Sequence, residues 1–409
     1  MLKYPDTSLR LDTIFRSLKY RNYRLFFSGQ SISLIGTWMQ RIAMPWLVYH
    51  MTGSELLLGV VSFAGQIPTF LLSPLAGVVT DRQNKYKVLL VTQIASLVQA
   101  SVLAFLALTG TIELWHIVVL SVIMGCVNAF DVPTRHSLVI DMVENKDDLG
   151  NAIALNSLMF NGARLLGPSV AGLLLAVTSE GVCFLINAIS YLFVIGSILM
   201  MRIEVRKSPV NNKQIFRELR EGLNYAFGFA PIRHLLLLLT VVSLTGMSYQ
   251  VLMPVYAKDI LHGGSSTYGF MMGAAGLGAL AGAIFLASRT TVLRLGRLIP
   301  ATTILAGAGL IVLAFSRFFP AALLLMGTIG AGMMLQSSAS NTILQTITDD
   351  DKRGRIMSLY TMAVMGTAPF GSLMSGALAK AIGTPNTILI FGICTIAGAL
   401  IFLRKLPEL

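Results

Sequence analysis

Long apolar runs broken by brief polar punctuation dominate the chain from residue 25 onward. A helix needs about 20 apolar residues to cross the hydrocarbon core of a bilayer. The pattern predicts twelve spans, near 25–50, 56–78, 87–110, 115–140, 150–178, 181–202, 234–258, 267–288, 297–316, 319–345, 355–382 and 385–404. Turn or charged residues separate most of them, as at Thr52-Gly53-Ser54, Asp81-Arg82-Gln83-Asn84, Asp147-Asp148, Asp349-Asp350-Asp351 and Gly383-Thr384-Pro385. The runs are too long for strands and lack alternating polarity, which excludes a lipid-embedded barrel. The first apolar run is far longer than a signal h-region and ends in no small-residue cleavage site. It is expected to be the first span, after a polar arm.

Composition supports lipid as the main solvent. The 409 residues are 55% hydrophobic and 12% charged, with a mean hydropathy of +0.73, whereas soluble domains carry about 25% charged residues. The net charge of +12 suits nucleic acid only if the basic residues cluster on a soluble face. They do not. Of the 31 Lys and Arg residues, 25 fall on the segments that lie inside if the N-terminus is cytoplasmic and the spans alternate. Only Lys258, Arg317 and Lys380 fall outside, and Arg41, Arg135 and Arg164 lie within spans. That bias follows the positive-inside rule and places both termini in the cytoplasm. Cys126, Cys183 and Cys394 sit in apolar runs without partner or metal-ligand spacing and read as small buried hydrophobes.

The longest inner segment separates six spans from six. The expected division is an arm over 1–24, a bundle over 25–202, a linker over 203–233 and a second bundle over 234–409. The halves also match. At a shift of 204, Gly150, Gly162, Gly167 and Gly172 fall on Gly354, Gly366, Gly371 and Gly376; at 210, Gln40 falls on Gln250 and Gly59 on Gly269. Such parallel repeats place a substrate site at their interface, near the midplane.

Six plus six spans, a long basic central loop and inside termini together resemble the major facilitator superfamily. The stretch Gly77-Val-Val-Thr-Asp81-Arg82-Gln-Asn-Lys85-Tyr-Lys87 is similar to that superfamily's loop motif, with a latch between halves formed by Gly77, Asp81 and Arg82, and Arg135 nearby. A plain reverse turn obeying the charge rule is the other reading. Ser288-Arg289-Thr290-Thr291, the equivalent loop, lacks the aspartate. Span five holds Gly162-Ala-Arg-Leu-Leu-Gly167-Pro168-Ser-Val-Ala171-Gly172. It resembles the Gly-Pro motif of proton-driven exporters, though Ala171 stands where the motif often has glycine; a packing seam is the alternative. Three further stretches, Trp38-Met-Gln40-Arg41-Ile-Ala-Met-Pro45-Trp46, Thr52-Gly53-Ser54 and Asp131-Val-Pro133-Thr-Arg135 followed by Asn151-Ala152 and Asn156-Ser157, resemble the branch of enterobactin exporters, macrolide efflux proteins and related secretion transporters. That resemblance implies export of a medium-sized organic molecule by a proton gradient.

Ionisable residues deep in a span cost roughly 3 kcal/mol or more and are functional hypotheses by default. Asp131 and Arg135 stand four apart on one helical face, either as a neutralised pair or, for Asp131, as the proton carrier. Arg164 pairs with Asp131 or binds an anionic or carbonyl-rich solute. Arg41 lines a vestibule or snorkels. Gln40, Asn128, Asn161, Gln250, Gln336 and Asn341 are cavity candidates, or interhelical hydrogen bonds. Trp38, Trp46, Tyr249 and Phe370 stack on a solute or face lipid.

Gly273-Ala-Ala-Gly276-Leu-Gly278 lies in an apolar span with no strand before it, so it reads as packing rather than a phosphate loop. No catalytic set, metal pattern or cofactor motif is evident. The expectation is therefore an all-α membrane protein of twelve transmembrane helices, in two bundles related by pseudo-two-fold symmetry. It is expected to be a proton-coupled exporter or antiporter in a bacterial inner membrane, functional as a monomer. Its partners would be protons, lipid and a siderophore, macrolide or similar drug, with no nucleic acid. A lysophospholipid flippase of the same fold is the first alternative, and a non-transporting sensor or assembly partner the second.

Overall fold

The computed structural model describes residues 15–202, 223–289, 295–349 and 352–405. Among them no strand occurs, and helices follow one another in the order the apolar runs predict. They are α1 (Arg21–Thr52), α2 (Glu55–Arg82), α3 (Lys85–Leu108), α4 (Leu114–Met142), α5 (Leu149–Val177) and α6 (Glu180–Met200). The second half continues with α7 (Ala230–Ile260), α8 (Ser265–Ala287), α9 (Leu295–Phe315), α10 (Phe319–Ile347), α11 (Arg353–Ile382) and α12 (Thr384–Arg404). Eleven of these are long and apolar enough to cross a membrane; α1 is 32 residues long but more polar. The start of α1 and the end of α12 share one face, here called the terminal face, and the turns at Gly53, Gly110 and Gly383 share the opposite one. All three glycines have positive φ, 59°, 70° and 85°, a backbone state that costs other residues energy.

Exposed apolar side chains recur at helical spacing on the peripheral helices. Val91, Ile94, Val98, Val102 and Phe105 line α3, and Leu185, Ile189, Leu192 and Leu199 line α6. Ile390, Ile393, Leu400 and Ile401 do the same on α12. In lipid these rows lose nothing by exposure, because acyl chains are as apolar as leucine.

Two helices depart from regular geometry. Pro369, at the second position of the α11 segment Ala368–Ile382, has no N–H for the preceding turn, and a π-turn over Met362–Gly366 absorbs the mismatch. In α7, π-turns over Val242–Gly246 and Tyr256–Ile260 flank a 3₁₀ stretch, Ser248–Leu252, and Pro254. The irregular segments satisfy one another. Ser243 Oγ donates to the carbonyl of Val364, inside the α11 π-turn, at 2.6 Å. Backbone groups freed at membrane depth need such partners. The apolar run read from 234–258 gave no hint of this break, since hydropathy does not distinguish an α-turn from a π-turn.

Residues 16–20, just before α1, dock on the α4–α5 turn. Arg16 and Lys19 pair with Asp148 at 3.1 and 2.7 Å, and Tyr20 Oη donates to it at 2.7 Å. The bonds from Lys19 and Tyr20, with the charges of Lys19 and Arg16, hold this carboxyl below its ordinary 3.8. A folded value below the unfolded one stabilises fully above the unfolded value and is lost as pH falls through the folded one. Asp148→Asn is therefore expected to lower the unfolding temperature in detergent at neutral pH. That difference should shrink as pH falls below the ordinary 3.8 and vanish once the folded-state carboxyl is itself protonated. An equal difference at every pH, by scanning fluorimetry, would remove this account. The second half repeats the device: Tyr225 Oη donates to Asp349 at 3.1 Å, and Lys352 pairs with the same carboxylate at 3.1 Å.

Candidate functional site

The repeat read from the sequence becomes a pair of seams between bundles, α2 on α11 and α5 on α8. A Cβ built on Gly59 would stand 3.1 Å from Gly376 Cα and 2.8 Å from the Ser372 carbonyl. One built on Gly269 would stand 2.5 Å from Gly172 Cα and 2.7 Å from the Pro168 carbonyl. The shifts of 210 and 204 carry Gly59 onto Gly269, Gly376 onto Gly172 and Ser372 onto Pro168. The two seams are thus one contact used twice. Glycine is required because backbone meets backbone with no side chain able to yield.

On the same side of the molecule, Tyr49 donates a hydrogen bond to Asp259, and Lys258 lies 5.4 Å from the Tyr49 ring centre. Tyr49 and Asp259 are also 210 apart, so equivalent positions of the two halves face each other beside the pseudo-axis. Trp46 stacks on Tyr268 at 6.0 Å nearby. Deeper, Gln66 donates to Ser372 at 3.2 Å, and Phe370 meets Phe63 and Phe70 edge-on. The seams end at Leu165 against Gly276 and Phe70 against Gly366. These described contacts join the two bundles across the central cleft from the face of the Gly53, Gly110 and Gly383 turns to mid-span.

Inside the first bundle, Asp131 is 5% exposed and fully partnered. Thr92 Oγ1 and Gln93 Nε2 donate to Oδ1 at 3.0 and 2.6 Å, and Arg135 Nη2 to Oδ2 at 2.8 Å. Donors on both oxygens offset the hydration that a buried carboxylate gives up. Asp131 therefore pairs with Arg135 and not with Arg164. Gln40 takes the interhelical alternative: it donates to Gln99 at 3.2 Å and accepts from Asn187 at 2.7 Å.

Arg164 and Arg41 instead converge on Trp38. Their guanidinium carbons lie 5.8 and 4.8 Å from its ring centre, and Phe160 packs edge-on at 5.7 Å. Gly167 makes room, since a Cβ there would stand 2.4 Å from Trp38 Cβ. Neither arginine has a carboxylate partner among the described residues. Arg41 is exposed, Arg164 half-buried, and Tyr249 of the second bundle faces Arg164.

The other candidates are dispersed. Asn161 bonds its own helix at the Ser157 carbonyl, and Asn341 accepts from Gln345. Asn128 is half-buried, and Gln250 sits beside the Tyr249 hydroxyl. Gln336 is buried, donates weakly to Ser340 at 3.4 Å, and leaves its Oε1 without a partner. In the Gly-Pro motif, Gly167, Pro168 and Gly172 pack, but Gly162 faces open space. The backbone at Gly77, Asp81 and Arg82 continues α2, and their side chains lie outside the described residues. A cavity of about 410 Å³ lies between α3 and α4, against Val91, Ala95, Cys126 and Phe130. It belongs to the first bundle and not to the cleft.

The model of the transmembrane secretion effectors, a branch of the major facilitator superfamily, matches residues 13–409. The chain belongs to this family. As an efflux-type transporter it is no enzyme, and it is a multi-pass membrane protein. This effector is 25% identical to the staphyloferrin A transporter of Staphylococcus aureus, over 93% of its own length and 95% of the relative's. It is 24% identical to the multidrug efflux pump Tap of Mycolicibacterium fortuitum (90% and 92% covered). Macrolide efflux protein A of Streptococcus pyogenes is 23% identical (94% and 96% covered). Solved structures share the effector's fold. A POT family transporter bound to a thioalcohol-conjugated peptide superposes with a TM-score of 0.74 at 13% identity, covering 95% and 96% of the two chains. A bacterial homologue of the human lysosomal transporter Spinster, inward-facing and unoccupied, gives 0.70 at 12% identity, covering 95% and 97%.

Tyr49, Asp259 and Trp46–Tyr268 as a closure were not legible in the sequence. Asp259 lies at the end of its span and reads there as a loop charge. The one signal that would have found the pair is its spacing of 210, the repeat shift itself.

Proposed function

We propose that this effector is a proton-coupled exporter that works by alternating access, rocking its two bundles about the central cleft. The observation that carries the reading is Asp131, a buried carboxylate away from the span ends, held by Arg135 and two neutral donors. Thr92 and Gln93 stand on α3 and Asp131 on α4, so a rearrangement of these two helices would change the donors that hold the carboxylate. The Lys/Arg bias supports a cytoplasmic terminal face. The cleft then closes toward the outside, and an exported solute enters from the cytoplasm. The arm (1–24), bundles (25–202 and 234–409) and linker (203–233) act as one monomer in a bacterial inner membrane. The cargo is a medium-sized organic molecule of the siderophore or macrolide kind, as the relatives' names suggest.

Everted vesicles test this directly. A panel of siderophores and drugs is expected to yield a compound that accumulates with an imposed proton gradient and stops doing so with a protonophore. Asp131→Asn is expected to reduce uptake to the protonophore level. Undiminished gradient dependence in that variant would remove Asp131 as the carrier.

A further inference from the structure

Two arginines at membrane depth on one indole need an explanation that packing does not supply. Arg41 lies twenty residues along α1 from Arg21, about 30 Å at 1.5 Å per residue. Arg164 lies fifteen residues along α5 from Leu149, about 22 Å on the same measure. Both are thus far from the terminal face. Their guanidinium carbons lie 4.8 and 5.8 Å from the Trp38 ring centre, so they stand no more than about 11 Å apart. The charge of Arg135 also reaches Arg41, but Arg135 is neutralised by Asp131.

An indole face offsets part of the cost of a cation at membrane depth. It leaves the five N–H donors of each guanidinium largely unspent. Like charges held this close repel, and the nearby carboxylate, Asp131, is saturated by three donors. Tyr249 from the second bundle offers no negative charge, and Gln40 and Asn187 are bonded to each other. What completes the cluster must bring the charge with it.

Resting on the transport reading above, we propose that Trp38, Arg41 and Arg164 form the recognition site for an organic anion. Its carboxylate meets the free N–H edges of the guanidinium groups, and its apolar or aromatic body packs beside them against Phe160 and the edge of the indole. Arg suits this role because its planar fork binds carboxylate in bidentate fashion. The same cluster repels a cationic amphipath, which favours an acidic cargo of the siderophore kind over an amine-bearing macrolide. Tyr249 puts the second bundle within reach of the bound solute, which couples occupancy to the relation between the halves.

The test uses the purified full-length protein in detergent with Trp46→Phe and Trp115→Phe, so that Trp38 is the sole indole reporter. The probes are 1-naphthoate, benzene-1,3,5-tricarboxylate, 1-naphthamide and 1-naphthylmethylamine. Quenching or shift of Trp38 emission is expected with the two carboxylates and not with the amide or the amine. Arg41→Gln and Arg164→Gln are each expected to weaken carboxylate binding about tenfold or more, the size of a lost charge-assisted hydrogen bond. Arg41→Lys and Arg164→Lys should recover part of it, which a folding defect would not. Absence of carboxylate binding at millimolar concentration, equal binding of the amine, or indifference to both glutamine substitutions would overturn the proposal. The vesicle panel separates this from failure of the transport reading. Proton-driven export confined to cationic compounds leaves the transporter standing and sinks the anion site.

Discussion

Gly172→Ala is expected to hold the molecule open on the face away from its termini and to abolish most transport. A Cβ there would stand 2.7 Å from Gly269 Cα and 3.1 Å from the Ser265 carbonyl, both backbone. Overpacking of this kind costs about 1–3 kcal/mol, which shifts a two-state closure by roughly one to two orders of magnitude. Gly376→Ala should act alike, because it meets Glu55 O at 2.5 Å and Gly59 Cα at 3.0 Å through the symmetric seam. Spin labels at Thr111 and Ser316, on exposed turns of the two bundles, would report the change as a longer distance by pulsed resonance. Gly162→Ala, whose Cβ meets nothing within 4 Å, is the control and should leave the distance alone. An unchanged distance in both seam variants would show that these contacts do not govern closure.

Arg135→Gln is expected to be the most destabilising single change in the first bundle, by about 3–5 kcal/mol, because it strands a buried carboxylate without its counter-charge. The double variant Arg135→Gln with Asp131→Asn should recover most of that loss, since a neutral pair carries no stranded charge. Denaturant titration in mixed micelles measures both. A single variant as stable as the parent would mean that Thr92 and Gln93 suffice to hold Asp131, and that the ion pair is dispensable.

Much of the scaffold was legible because lipid imposes a simple pattern. A span must be long, apolar and helical, so twelve runs and their punctuation showed the fold, and the glycine register showed the repeat, though not the seams in which it is used. The Asp131–Arg135 pair was legible too, being four residues apart on one helix. What escaped were partnerships between helices far apart in sequence. Nothing in the local spacing says that Gln40 is consumed by Gln99 and Asn187, or that Arg41 and Arg164 share one tryptophan. The break in α7 escaped for a different reason: its cause lies partly in α11, where Val364 waits for the Ser243 hydroxyl. Hydropathy averages over a turn and cannot register a change in how that turn is wound.

Phe70 makes the two halves unequal at one telling place. A Cβ on Gly366 would stand 2.6 Å from its ring, whereas the repeat equivalent, Gly162, faces nothing within 4 Å. The two edges match in register, yet only one of them carries a gasket. An aromatic ring suits the part. It can part from its seat and return many times without shedding a hydration shell on each stroke, as a charged stop would have to do. The edge that lacks it is the one whose helix carries Arg164. The bare rim and the cationic hold therefore share a wall, and the plugged rim stands across from them as a plain bearing.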